Sequence, residues 1–485
     1  MPELNLDRRR LLTAAAALTL TPAAALARTP EAMGRALAAA VNEPTALDAF
    51  LDGFVSQQAL ARRPAAWWRE TLGAVRAATG GVDFLGVREG AAESLVRIRT
   101  RRQGLERDLV AVADRRTPGK VWTLFAIARP TPYDAAVLDR PVPRADLRAA
   151  IDRRVRFAAD RDEFSGVVRV VAPDGRAVYQ RAFGVADRQR GAAVAADDRF
   201  QIGSADKSFT AILIGRLIEA RKLTLDTRLI EVLPLWENRA AAEAISIRHL
   251  LTHSAGLGDL WSRPGYDKLK PYARVAELLP SFWGADPAFA PGTRSAYSNE
   301  GFVALGAVVE AVTGETWYDQ LRRRVYRPAG MARSGHFLAR SDFDGKVVGY
   351  RYPHDDVLGL SARQPNHDFL GYRGNSCGGG YSTVGDMTAY LRALRGGKLL
   401  PKARADAMTA AAEGGLPDYG MGFQYVAVGG RTVRGHGGGG EKSGIDGDSW
   451  IVWETGWACS VLGNYDSPFA SALSADLKVM LAAQA

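Results

Sequence analysis

Between Ala32 and Thr79 apolar residues return at three- and four-residue spacings, most clearly at Leu47, Phe50, Leu51 and Phe54, and this period predicts helix. Gly80-Gly81 closes the pattern, and the period then shortens to strand-like runs. Val82 to Val87, Leu95 to Arg99, Asp108 to Ala113 and Lys120 to Ala128 each read as strands. Two helices followed by an antiparallel sheet predict a small α+β domain over residues 28–129. Pro130, Pro132, Pro141 and Pro143 then punctuate an aperiodic stretch, read as a linker over 130–144.

The rest of the chain, 145–485, reads as a second domain. Gly166 to Val171, a Pro173-Asp174-Gly175 turn and Ala177 to Tyr179 predict a hairpin. From Ser204 to Ala220, Phe209, Ile212, Leu213 and Leu217 share one helical face. Helices and Gly/Pro-bearing loops fill the middle as far as Leu399. Strands return at Gly422 to Val428, Arg431 to His436, Ser449 to Val452 and Ala458 to Asn464, before an Ala-rich helix from Ser467. The expected fold is α/β of the α+β kind: an antiparallel sheet built from both ends of the domain and flanked by helices, with a helical subdomain inserted.

Composition supports a folded, two-domain chain. At 485 residues it exceeds what one core usually holds, and 47% hydrophobic with 24% charged residues is ordinary for a globular protein. Arg8-Arg9-Arg10, Leu11-Leu12 and an Ala/Thr/Leu run ending at Ala25-Leu26-Ala27 read as an export signal of twin-arginine type over 1–27, cut after Ala27. The run is too short and too rich in Ala and Thr for a spanning helix, so a periplasmic or secreted bacterial protein without stable membrane insertion is expected. The net charge of +10 is spread along the chain, with no lysine-rich tail and no interleaved aromatic and basic segment, which argues against nucleic acid as a partner. Cys377 and Cys459 lie far apart and are read as free and buried; the six histidines lack ligand spacing, so neither metal nor cofactor is expected.

Three short segments carry chemistry. In Ser204-Ala205-Asp206-Lys207 a hydroxyl and an amine stand three apart, on one face of a helix start. A serine is a weak nucleophile until a neighbour takes its proton, and the first turn of a helix offers N–H groups to an oxyanion. Tyr297-Ser298-Asn299 adds a phenol that could act as general base and a carboxamide that could hold the lysine or a substrate amide. Gly435-His436-Gly437-Gly438-Gly439-Gly440 ends a strand, and its glycines would let a substrate lie along the edge while a main-chain N–H completes an oxyanion hole. Taken singly, these segments are also an N-cap, a loop and a glycine-rich turn.

Together and in this order, S-x-x-K, Y-x-N and H-x-G resemble the penicillin-recognising serine hydrolases, and their surroundings are similar to the class C β-lactamase branch with its esterase and D-peptidase relatives. Ile247 to Leu257, the segment from Tyr297 to Glu310, and Tyr419 to Phe423 extend the resemblance over residues 145 to 485. It implies a β-lactamase/transpeptidase-like domain with Ser204 as nucleophile, Lys207 and Tyr297 as the proton-transfer pair, and Asn299 in support, with His436, Gly438 and Gly439 at the substrate. The implied activity is acyl-enzyme hydrolysis of a small ester or peptide-like amide, with β-lactamase or DD-carboxypeptidase action as the alternative. A non-catalytic envelope peptide-binding protein is the alternative of another class. Histidine where β-lactamases carry lysine disfavours carboxylate-bearing substrates; Lys442-Ser443-Gly444 is the rival third motif. The first domain looks somewhat like nuclear-transport-factor or cystatin-like domains and is assigned no activity.

Overall fold

The computed structural model describes residues 29–89, 93–114, 117, 119–127, 142–353, 359, 362–440 and 442–484. The expected leader and most of the expected linker lie outside the described residues. The chain divides into two compact units, 1–129 with 355–362, and 130–354 with 363–485.

In the smaller unit the helical period is broken into four helices rather than two: α1 (Pro30–Asn42), α2 (Leu47–Phe54), α3 (Gln57–Arg62) and α4 (Ala65–Thr79). The breaks have local causes. Pro44 opens a short 3₁₀ turn, Ser56 caps α3 by accepting the Ala59 N–H, and Pro64 precedes α4. Gly80, at φ +69°, ends α4 in the left-handed conformation. Strands β1 (Val82–Glu89), β2 (Glu93–Thr100), β3 (Glu106–Ala113) and β4 (Val121–Ile127) form a meander in that order. Leu37, Phe50, Trp68 and Leu72 from the helices and Val96, Ile98 and Leu109 from the sheet form its buried core. Gly359 belongs with this unit, where Arg107 donates to its carbonyl at 3.2 Å.

The larger unit is built on a six-stranded antiparallel sheet. Its strands are β5 (Gly166–Val171), β6 (Ala177–Phe183), β7 (Gln424–Val428), β8 (Arg431–Gly440), β9 (Ile445–Val452) and β10 (Ala458–Gly463), in the order β7-β8-β9-β10-β5-β6. The two ends of the segment thus meet at β10 and β5. Both faces are covered. On one, Val168, Val170, Trp450 and Cys459 pack with α5 (Leu147–Ala159) and the C-terminal helix α10 (Phe469–Ala482). On the other, Val167, Ile451 and Leu462 belong to the main core together with α6 (Asp206–Glu219) and α9 (Val384–Arg395). Between α6 and α9 the chain forms a helical region that includes α7 (Ile247–Leu251) and α8 (Asn299–Thr313). β8 and β9 run four residues further into Gly-rich and Asp-rich sequence than alternation predicts, because Gly437 to Gly440 pair with β9 residues Ile445 to Asp448. Cys377 and Cys459 are both free and buried.

Trp68 is fully buried at the centre of the small unit's core, stacked edge-on to Phe50 with ring centroids 6.2 Å apart. Trp68→Ala is expected to cost about 3–5 kcal/mol, measured as a lower midpoint for this unit's transition in a denaturant titration of the whole protein.

Candidate functional site

A short strand, Phe200–Gln201, leads into a 3₁₀ turn over Gly203–Ala205 and then into α6, so Ser204 stands at the junction of strand and helix. The approach is pinned from one side by residues 379–382. Tyr381 and Ser382 pair with Gln201 and Phe200, Ile202 donates to the Gly380 carbonyl at 2.8 Å, and Gly379 donates to the Gly203 carbonyl at 3.2 Å. Asp206, wholly buried, accepts from the Gly380 N–H at 2.6 Å and closes that frame. Gly203 is held at φ +49°, where a Cβ would sit 2.7 Å from the Gly439 nitrogen, so this turn tolerates only glycine.

Lys207, one turn on, is completely buried. Its Nζ lies 3.1 Å from Ser204 Oγ, 2.7 Å from Asn299 Oδ1 and 2.5 Å from the Cys377 carbonyl oxygen. The last two partners can only accept, so two of the amine's hydrogens have fixed directions. Its third position points at the serine. Faces of aromatic rings close the remaining space, with Nζ 4.8 Å from the Tyr297 centroid and 5.7 Å from that of Phe302.

Asn299 is the first residue of α8, behind the N-cap Ser298, and its amide is oriented from outside the expected motifs. Its Nδ2 donates to Asp259 Oδ1 at 2.9 Å. A carboxylate accepts and cannot donate, so the amide oxygen must turn toward Lys207. Asp259 is itself placed by a buried clamp: Glu300, fully buried in the first turn of α8, accepts from the Gly258 N–H at 2.7 Å and from both Arg263 Nε and Nη2 at 2.5 and 2.9 Å. Ser298 Oγ donates to the Gly258 carbonyl at 2.9 Å. None of Asp259, Glu300 or Arg263 is marked out by the sequence, because each meets its partner through a loop some 40 residues away.

Tyr297 lines the cavity beside Ser204, and its ring rests on His253 with centroids 4.5 Å apart. His253 is a buried residue at φ +59° whose Nδ1 accepts the Ser298 N–H at 3.0 Å, so it braces the Tyr297 segment from behind. His436, on β8, joins the same ring cluster through Tyr419, which packs on both His253 and His436 with centroids 4.8 and 5.6 Å apart. Its Nδ1 faces the Gly437 carbonyl at 2.5 Å and must carry the proton; its Nε2 therefore accepts from the Tyr419 hydroxyl at 2.9 Å. Both ring nitrogens are thus used within the protein, which leaves His436 a structural neighbour of the site rather than a free hydrogen-bonding group. Burial, and then the charge of Lys207, pull its pKa down to about 4, and the same two causes hold His253 well below the ordinary histidine range. The rival Lys442 stands in the β8–β9 turn, where its Nζ donates to the Pro353 carbonyl, and is not among the cavity's lining residues.

The glycines after His436 have a steric reason. A Cβ on Gly438 would lie 2.0 Å from the Ile202 carbonyl oxygen and 2.5 Å from the Ser204 nitrogen. β7 pairs with β8 only as far as Gly435, so beyond it that edge is open. Gly437 N–H points to this edge, where it donates to Gln424 Oε1 at 2.9 Å. Amides alternate in direction along a strand, so the Gly439 N–H faces the same way, toward the Ser204 turn. The cavity here, about 1350 Å³, is lined by Ser204, Tyr297, Asn299, His436, Gly438 and Gly439 among others, so the sequence-predicted residues meet in one place, with Lys207 behind the serine.

Removing the Asp259 carboxylate frees the Asn299 amide to turn its NH₂ toward Lys207. Asp259→Ala is expected to lower kcat by about tenfold or more, equivalent to ~1.4 kcal/mol, with the denaturation midpoint of the free protein little changed. The buried histidines set a second expectation. Below pH 6.5, the ordinary histidine value, the unfolded chain takes up protons that the folded site refuses, so stability falls as pH drops from 6.5 toward about 4. His436 contributes a loss of about 3 kcal/mol over that window. Denaturant titrations should show the decline, with a shallower slope in His436→Gln.

A family model described as Beta-lactamase matches residues 151–484. The chain is 30% identical over 345 residues to esterase EstB of Burkholderia gladioli, covering 64% of this chain and 88% of that one. It is 28% identical over 298 residues to a D-aminopeptidase of Brucella anthropi, of which it spans about half, 54%. Among solved structures, a penicillin binding protein from Bacillus halodurans aligns with a TM-score of 0.60 and 27% identity, over 68% of this chain and 98% of that chain. With a seryl–lysyl pair at the helix start, a glycine strand edge beside it and a family match that spans the larger unit, the chain belongs to the β-lactamase family of serine hydrolases.

Proposed function

We propose that Ser204 is the acyl-accepting nucleophile of a hydrolase for small esters and, by the same chemistry, peptide-like amides. The observation that carries this reading is the set of partners on Lys207. With the amine neutral, Asn299 Oδ1 and the Cys377 carbonyl take its two N–H groups, and the lone pair is left facing Ser204 Oγ at 3.1 Å. The serine proton passes to Nζ as Oγ attacks the substrate carbonyl carbon. The oxygen that gains charge is received by the N–H groups of Ser204 and Gly439. As the carbonyl–leaving-group bond breaks, the leaving atom takes a proton from Lys207, directly or by way of Tyr297, whose ring centroid lies 4.8 Å from Nζ. Water then attacks the ester on Ser204, gives its proton to the same pair, and Oγ leaves reprotonated. Tyr297 is the member of the pair open to solvent, and Lys207 the buried one.

The esterase arm is favoured over β-lactamase action because the strand position that would hold a cation for a substrate carboxylate carries a neutral, internally bonded imidazole. The relationship to an esterase over most of that enzyme's length supports the same choice. We further propose that the protein works outside the cytoplasm, exported by the twin-arginine leader read at Arg8-Arg9-Arg10 and cut after Ala27. The mass of the protein recovered from the periplasm should begin at Arg28.

A fluorophosphonate probe should label the purified protein once, on the peptide that contains Ser204, and Ser204→Ala should abolish both label and p-nitrophenyl acetate turnover. Labelling undiminished in Ser204→Ala would remove the assignment. Lys207→Ala should lose labelling by about 100-fold or more in rate while it keeps the fold by circular dichroism.

A further inference from the structure

Nine large apolar side chains among the described residues remain substantially exposed, and four of them, Trp261, Leu269, Tyr297 and Phe369, line the cavity that holds Ser204. Trp261 is 51% exposed, Leu269 41% and Phe369 44%. Exposed apolar groups scattered singly need no explanation, but a cluster inside one concave site marks a place where an apolar ligand is buried.

Two observations make this wall more than a greasy rim. First, it is held in place. Trp261 sits on the segment clamped by Glu300 through Gly258 and Arg263, and its ring packs on Tyr266 with centroids 5.7 Å apart. The segments that carry Leu269 and Phe369 are tied together, since Lys268 Nζ donates to the Asp368 carbonyl at 2.5 Å and the Tyr372 N–H donates to the Lys268 carbonyl at 2.7 Å. A preformed wall binds without the entropy cost of ordering its side chains. Second, the cationic side chains among the described lining are engaged elsewhere. Lys268 is turned to backbone carbonyls, Arg373 stacks on the Tyr318 ring at 3.5 Å, and Lys478 lies 2.7 Å from the Asp448 carboxylate. A substrate carboxylate would therefore be desolvated without a partner there, whereas a hydrocarbon chain would gain contact area.

We infer that Trp261, Tyr266, Leu269 and Phe369 form a subsite for an extended aliphatic or aryl group adjoining the scissile carbonyl, so that the substrate class is esters whose group at this wall is an uncharged, medium-length chain or ring. This rests on the ester-hydrolase reading above. Each methylene buried in the subsite raises kcat/KM about three- to fourfold until the wall is filled.

The test uses the whole protein with two substrate series: p-nitrophenyl acetate, butyrate and octanoate, which lengthen the acyl side, and ethyl, butyl and octyl acetate followed by pH-stat, which lengthen the alcohol side. The expected result is a rise of about tenfold or more in kcat/KM along one series. Trp261→Ala should collapse the long-to-short ratio toward one, and Trp261→Phe should restore most of it, with both variants labelled at Ser204 by a fluorophosphonate. Flat behaviour along both series in a protein that labels normally overturns the subsite alone. Absence of labelling in the wild type overturns the hydrolase reading instead. Faster turnover of D-alanine amide or of an anionic β-lactam than of any uncharged ester also overturns the subsite, since it would show that a charged group is preferred in this cavity.

Discussion

A lysine headgroup with no exposure to water has to be given partners by the protein, or the fold loses more than it gains from the core around it. Lys207 is that residue here, and much of the larger unit's architecture is the answer to it. One partner must come from α8, which brings Asn299; one from the loop before the Tyr381–Ser382 strand, which brings the Cys377 carbonyl; one from its own helix start, which brings Ser204. Three chain segments separated by up to 170 residues converge on one nitrogen. The requirement that makes the amine tolerable is the same one that aims it at the serine.

The converse constraint is steric. For the edge of β8 to reach the Ser204 turn, backbone must approach backbone. Gly203 and Gly438 both lie where a Cβ would come within 3 Å of the other segment's main-chain atoms. The glycine run costs strand propensity, and the sheet compensates by pairing Gly437 to Gly440 fully with β9 on the other side. The loss of β7 beyond Gly435 then becomes useful, since it leaves amides on an unpaired edge where a substrate can lie.

How far the sequence discloses this depends on which physical signal each part carries. The strands of the small unit and the C-terminal strands are readable from period, and Ser204 with Lys207 from a three-residue spacing that a helix start enforces. The extension of β8 into four glycines is not readable, because glycine carries no alternation. The helical stretch over Ala32 to Thr79, expected as two helices, is divided into four because Pro44, Ser56 and Pro64 act as local punctuation stronger than the shared apolar period. Cys377 contributes a carbonyl oxygen, which no side-chain pattern can announce. Asp259, Glu300 and Arg263 look like ordinary loop charges until the fold places the first at the Asn299 amide and buries the second against the third.

His436 shows where motif reading stops and electrostatics takes over. A lysine at that strand position would put a second cation close to Lys207 in a site from which water is largely excluded, and at an effective dielectric of about 20 two such charges repel by some 4 kcal/mol at 4 Å. A neutral imidazole avoids that cost, and the Tyr419 hydroxyl and Gly437 carbonyl lock it in the neutral tautomer. The third motif then presents no cation at that strand position. The cavity's remaining lining combines aromatic rings and glycines with charged side chains, of which the cationic ones are engaged elsewhere. Substrate choice in such a site rests on shape and apolar contact rather than on pairing a charge, which is why the exposed side chains around its mouth carry the specificity that the motif residues do not.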